Sequence, residues 1–139
     1  MSTIEMAIQI AIDAHKGQVD KAGEPYILHP LRVMMNVSGE AEKIVAVLHD
    51  VIEDSAVTLA DLERSGFSKE VCAAVGALTK AEQEDYDAYL QRVRQNPIAH
   101  RVKLADLTDN MDLQRLPELS PDSYKRMSKY HHAWTYLNS

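Results

Sequence analysis

"AVLHDVIEDS", Ala46 to Ser55, is the stretch on which the fold turns. It sets His49 beside Asp50, and Glu53 beside Asp54, inside an apolar run. Extended back to Glu40, "EAEKIVAVLHDVIED" reads as the most apolar helix of the chain. On one continuous helix His49 and Glu53 share a face, and Asp50 and Asp54 share the adjoining one. Four ionisable groups on a core helix are costly unless they are paired, protonated or bound to a cation. A divalent cation accounts for them. Imidazole nitrogen with carboxylate oxygen suits Mn²⁺, Fe²⁺ or Zn²⁺ better than Mg²⁺ or Ca²⁺. Two neighbouring residues supply only part of a coordination shell, so other helices must bring more donors.

The flanking segments also read as helices. The first begins at Ser2, with Glu5 completing a capping box, and Ile4, Ile8 and Ile12 with Ala7 and Ala11 form its apolar face. "KGQVDKAGEPYI" interrupts the pattern with Gly17, Gly23 and Pro25 and reads as a loop. "HPLRVMMNV" is a short helix with Pro30 near its first turn. Thr58 with Asp61 marks another helix start, Gly66 a stop, and Ser68 opens "KEVCAAVGALTK". "EDYDAYLQRVRQ", "PIAHRVKLADLTDNMDL" and "SPDSYKRMSKYHHAWTYL" follow. The spacing predicts an all-α protein of seven or eight helices, folded as a single domain over residues 1–139.

Composition narrows the function. The 139 residues are 45% apolar and 26% charged, as in ordinary globular proteins. There is no long apolar run and no basic leader segment, so the cytoplasm is the expected compartment. A formal net charge of -6 argues against a nucleic-acid binder, yet allows an anionic small molecule held by a local cluster of bases or a cation. Cys72, alone in "EVCAAV", reads as a small buried hydrophobe.

Two further residues complete a plausible donor set. His29 opens the short helix, and Asp106 lies in "VKLADLTDNM" with Asn110 four residues on. His29, His49, Asp50 and Asp106 make a mixed nitrogen and oxygen site with room for water, which a divalent cation turns into a better nucleophile. Glu53 and Asp54, one turn on, are positioned to orient that water or take its proton. Blander readings stand beside these. His29 can cap a helix, and Asp106 can pair with Lys103 or Arg101. Asp109 and Asp112 read as solvated, His131 and His132 as surface residues, and His15 as a hydrogen-bonding residue at the loop entrance.

Together, "AIDAHKGQVDKAGEPYILHP", "LHDVIEDS", "ALTK" and "VKLADLTDNM" occur in the order seen in the hydrolase domain of RelA/SpoT homologues, within the HD phosphohydrolases. The similarity runs from Ile4 to Leu113 and more weakly to the end, and the chain resembles the single-domain small alarmone hydrolases. That resemblance implies a helical HD-phosphohydrolase fold and a Mn²⁺ ion on His29, His49, Asp50 and Asp106. It assigns Glu53 and Asp54 to activating the attacking water. The implied reaction removes the 3′-pyrophosphate of (p)ppGpp, giving GDP or GTP and pyrophosphate. Asn110 matches a family residue near the nucleoside, and Lys21 the basic residue of the family's "RKSGEPYI" segment. Counted without gaps from Asn110, Arg126 and Tyr130 fall where small members contact phosphate and ribose.

One position departs from the pattern. Asp20 stands where the family has an arginine that packs on the nucleobase; a carboxylate cannot stack, and it is expected to add negative charge near an anionic substrate. Two other functions are compatible with these residues: a phosphatase acting on another nucleotide, such as the 2′-phosphate of NADPH, and a sensor that binds without cleaving. The expected partner is a small-molecule nucleotide, with neither nucleic acid nor membrane. The sequence sets no oligomeric state.

Overall fold

Why is "IVAVL" apolar on every side? Ile44 to Leu48 are all buried, because their helix is packed against neighbours on several flanks. The computed structural model describes residues 2–139. Among them are nine α-helices: α1 Ile4–His15, α2 Leu28–Met35, α3 Glu40–Leu48, α4 Val51–Asp54, α5 Leu59–Arg64, α6 Lys69–Leu78, α7 Tyr86–Gln95, α8 Pro97–Asn110 and α9 Pro121–Leu137. A 3-10 turn, Leu113–Arg115, leads into α9. Helix α3 packs against α1, α2, α6 and α8, and α9 lies over α7 and α8. No strand is present among the described residues; one isolated bridge, Val19 with Pro25, pinches the loop before α2. No helix there is long and apolar enough to cross a membrane.

Local chemistry sets the helix ends. Thr58 and Asp61 form a reciprocal capping box on α5, Ser68 caps α6, and Asn96 caps α8 with Pro97 in its first turn. Helix α1 differs from its sequence reading. Thr3 is its cap, accepting from the Met6 amide, while Ser2 donates to the Ser65 carbonyl. The buried face of α1 is Ala7, Ala11 and His15, with Ile4 and Ile8 partly covered and Ile12 exposed. The small alanines let α1 approach α3 closely.

The decisive difference lies in the opening stretch. "EAEKIVAVLHDVIED" is not one helix: α3 ends at Leu48, His49 and Asp50 form a turn, and α4 is a single turn. Asp50 sits at φ -106°, ψ 0°. On a continuous helix adjacent side chains diverge by about 100°. The break lets His49 and Asp50 point at one place; apart from the single turn of α4, eight α-helices remain among the described residues, as expected.

Candidate active site

Helices α2 and α8 bring their donors to that break. His29 comes from the first turn of α2 and Asp106 from the third turn of α8. His49 Nε2 lies 3.0 Å from Asp50 Oδ2 and 3.2 Å from Asp106 Oδ1, and His29 Nε2 lies 2.8 Å from Asp106 Oδ1. One donor atom from each of the four residues falls within 4.8 Å of all the others. Donors sharing one ion at about 2.1 Å stand roughly 3 Å apart at right angles, so two nitrogens and two oxygens at this spacing fit a divalent transition metal. The blander reading of Asp106 also holds in part, since Lys103 Nζ donates to its other oxygen at 3.0 Å.

The ring nitrogens facing away from the cluster are occupied. His29 Nδ1 meets Asp109 Oδ2 at 2.6 Å, and His49 Nδ1 meets the Ala46 carbonyl at 2.6 Å. Such partners fix ring orientation and aim Nε2 at the cluster. Tyr26 donates its phenol proton to Asp50 Oδ2. Burial, and then the carboxylate of Asp50, raise that phenol far above its ordinary range, so it remains a donor. Burial pushes the Asp50 carboxyl up, but His49 beside it outweighs this and holds it at about 2. Burial pushes the His49 imidazole down, and Asp50 and Asp106 more than reverse it. The same field that favours a proton there favours a cation.

Glu53 and Asp54 lie on α4, beyond the cluster. Each opens to solvent on one edge, yet burial on the other raises both carboxyls, with the Asp50 charge adding to the effect. Glu53 accepts from the Lys80 amide at 2.5 Å, which anchors it to the end of α6.

Against the donor set lies a cavity of about 460 Å³. His29 lines it, and so do Lys21, Asn110, Arg126 and Tyr130. Asn110 Nδ2 also donates to Asp106 Oδ1 at 3.3 Å. The four residues assigned to substrate by resemblance therefore share one wall system with a metal-donor candidate.

Two expectations are corrected. Asp109 is not solvated: it is buried and accepts from His29, Arg32 and Arg115. Burial pushes its carboxyl up, but the bonds from His29 and Arg32 outweigh that and hold it at about 2. Asp20 is not a loose negative charge beside the cavity. Its side chain is only 7% exposed, and Oδ2 accepts from Arg115 Nη2 at 2.9 Å. Its other oxygen accepts from the Ala22 and Glu24 amides, shaping a turn that Gly23 closes at φ +83°. Asp112 is exposed, as are His131 and His132, and Cys72 is buried. His15 is the structural residue expected, bonding Gln18 at 2.9 Å.

Sequence reasoning missed Tyr26, Asp109 and Arg115. Asp109 follows Asp106 by three residues, so helical spacing alone places the two on neighbouring faces. Tyr26 lies in a loop and Arg115 in a three-residue 3-10 turn, both too short for spacing to give such a signal.

Comparison with known proteins is consistent with this architecture. No family model matches the chain. It is 33% identical over 141 residues to the bifunctional (p)ppGpp synthase/hydrolase SpoT of Escherichia coli K12, covering 91% of this chain and 20% of that protein. A guanosine-3′,5′-bis(diphosphate) 3′-pyrophosphohydrolase of Haemophilus influenzae is 35% identical over 136 residues, 86% of this chain and 20% of its own length. These proteins are homologues of the chain, which spans about a fifth of their length. A solved structure of a metazoan ortholog of SpoT that hydrolyzes ppGpp superposes with a TM-score of 0.79 over 99% of this chain and 85% of that one, at 23% identity. The fold is shared.

Proposed function

We propose that this chain, a homologue of the SpoT-type (p)ppGpp hydrolases, is a cytoplasmic manganese-dependent phosphohydrolase that removes the 3′-pyrophosphate of (p)ppGpp. One observation carries the reading: His29 belongs both to the four-residue donor set and to the wall of the cavity lined by Lys21 and Arg126. A site for a cation and a site for phosphates therefore adjoin.

His29, His49, Asp50 and Asp106 would hold the cation, which when bound acidifies water and polarises a phosphoryl oxygen. The chain's own residues do the rest. Lys21 and Arg126 offer positive charge to the diphosphates, while Asn110 and Tyr130 face the nucleoside. Water adds to the phosphorus borne on the ribose 3′ oxygen and gives its proton to Glu53 or Asp54, whose raised affinities suit a general base. The P–O3′ bond breaks, the 3′ oxygen takes up a proton, and pyrophosphate departs.

Product analysis with Mn²⁺-loaded protein tests this, with ppGpp and NADPH side by side and Asp50→Ala as the blank. GDP plus pyrophosphate is the expected result. NADH plus phosphate, with ppGpp intact, would keep the chemistry and replace the substrate.

A further inference from the structure

Arg115 ends the 3-10 turn and lines the cavity together with the loop before α2 and the N-terminal half of α9. Both amino groups of its guanidinium are engaged. Nη1 donates to the Asp109 carbonyl at 2.8 Å and to Asp109 Oδ2 at 3.0 Å, and Nη2 donates to Asp20 Oδ2 at 2.9 Å. The two carboxylates that offset its charge are themselves fixed, with side chains 7% and 6% exposed. The Arg115 side chain is 21% exposed and lines the cavity, so part of it opens to that space.

A guanidinium occupied in this way has little charge left for a phosphate. It keeps a flat, delocalised face in a fixed orientation, which suits stacking on an aromatic ring. Fixing it beforehand also removes part of the ordering cost of binding. Lys21 and Arg126 on the same cavity are the opposite case, since neither has a carboxylate partner within ion-pair distance among the described residues. Another candidate ring is already taken: Tyr26 lies between His15 and His29, with centroids at 4.8 and 5.7 Å.

We infer that Arg115, held by Asp20 and Asp109, is the residue on which the nucleobase stacks, and so a determinant of substrate specificity, while Lys21 and Arg126 receive phosphates. This rests on reading the cavity as a nucleotide site. The test compares GDP with its abasic counterpart, 1-deoxyribose 5-diphosphate, by calorimetric titration of the Mn²⁺-equilibrated protein. The unchanged protein is expected to prefer GDP by about tenfold or more, the range that stacking on one side chain provides. In Arg115→Leu that preference should fall close to one, with the abasic compound's Kd nearly unmoved. A merely structural arginine would shift both Kd values together, and that result overturns the inference.

Arg115→Lys keeps a charge without a plane and is expected to behave like the leucine variant. Full preference in the lysine variant would also overturn the inference. Should Arg115→Leu fail to fold, Asp20→Asn replaces it. Asparagine retains an oxygen for the Ala22 and Glu24 amides but loosens the guanidinium, and a partial fall in preference is expected. A parallel ppGpp turnover assay separates the two ideas. No turnover with the binding pattern intact sinks the hydrolase reading alone, and a preference near one in the unchanged protein sinks the stacking reading alone.

Discussion

The donor cluster and the cavity wall beside it are built from different materials. The cluster hangs on α2, α8 and the end of α3, and three of its four residues are buried. Most of the wall comes from the loop before α2, the 3-10 turn and one side of α9, with His29 of α2 and Asn110 of α8 joining it to the cluster. Helices fixed by a common core hold donor atoms to the spacing a metal needs. Loops and turns held mainly by side-chain ion pairs can exchange residues with less disturbance to that spacing. On the proposed function, the donor set and the residues that choose a substrate are separable by mutation.

Removing a central carboxylate should break the cluster most severely. Asp106→Ala takes away the carboxylate shared by His29, His49, Asn110 and the partly buried Lys103. It is expected to abolish Mn²⁺ retention in equilibrium dialysis and to bring turnover to background. It should also cost about 3 kcal/mol in urea unfolding, below the upper end for a fully buried pair, because a partly buried ammonium loses its carboxylate. Asp50→Ala gives the same metal result with the helical dichroism preserved; full metal occupancy in that variant would remove Asp50 from the donor set.

Next in size is Glu53→Gln, which leaves the four donors untouched. Metal content should stay normal while kcat falls by about 10²–10⁴. A near-normal rate would take the proton-accepting role away from Glu53.

Asp109→Asn probes the link between the two regions, because Asp109 bonds both His29 and Arg115. Mn²⁺ affinity is expected to drop by about 10–100-fold, the usual effect of losing a partner that orients a ligating histidine. It also carries a pH signature. The folded carboxyl sits at about 2, below its unfolded value, so it contributes stability above pH 4 that disappears as pH falls toward 2. That contribution is about 2 kcal/mol at neutral pH. Urea midpoints at pH 5 and pH 2.5 should therefore converge in the asparagine variant relative to the parent. An unchanged gap would mean that Asp109 is not the group lost in acid.

Arg101→Ala sets the baseline. Its partner Glu42 lies outside both regions, and the guanidinium side chain is 55% exposed. A stability change of under about 1 kcal/mol is expected, with metal affinity unaltered. A larger loss would mean that surface ion pairs contribute as much here as the buried network.

Much of the cluster was legible because helical periodicity constrains it. His49 and Asp50 interrupt an apolar run, and Asp106 and Asn110 share a face. The turn at His49–Asp50 was not legible. "LHDVIED" contains neither Gly nor Pro, and tertiary packing around α3 overrides its local preference. Asp20 was misread for a similar reason. Its neutralising partner lies 95 residues away, a separation that no local pattern encodes. Arg115 stayed invisible until the fold brought that partner to it.

The single turn of α4 has a dynamic consequence. Its one backbone hydrogen bond back to the turn, from the Asp54 amide to the Asp50 carbonyl, is 3.0 Å, and its outside anchors are Val51 and Ile52 against the core, the Gln18 bond to the Asp54 carbonyl and the Glu53 bond from the Lys80 amide. Helix α3, by contrast, is covered on several sides. Amide hydrogens of Ile44–Leu48 should exchange with deuterium only when the whole domain opens, whereas those near Asp54 exchange through local excursions. Glu53 and Asp54 are then expected to open and reclose with α4 more often than His29 and Asp106, which sit on helices tied to the common core.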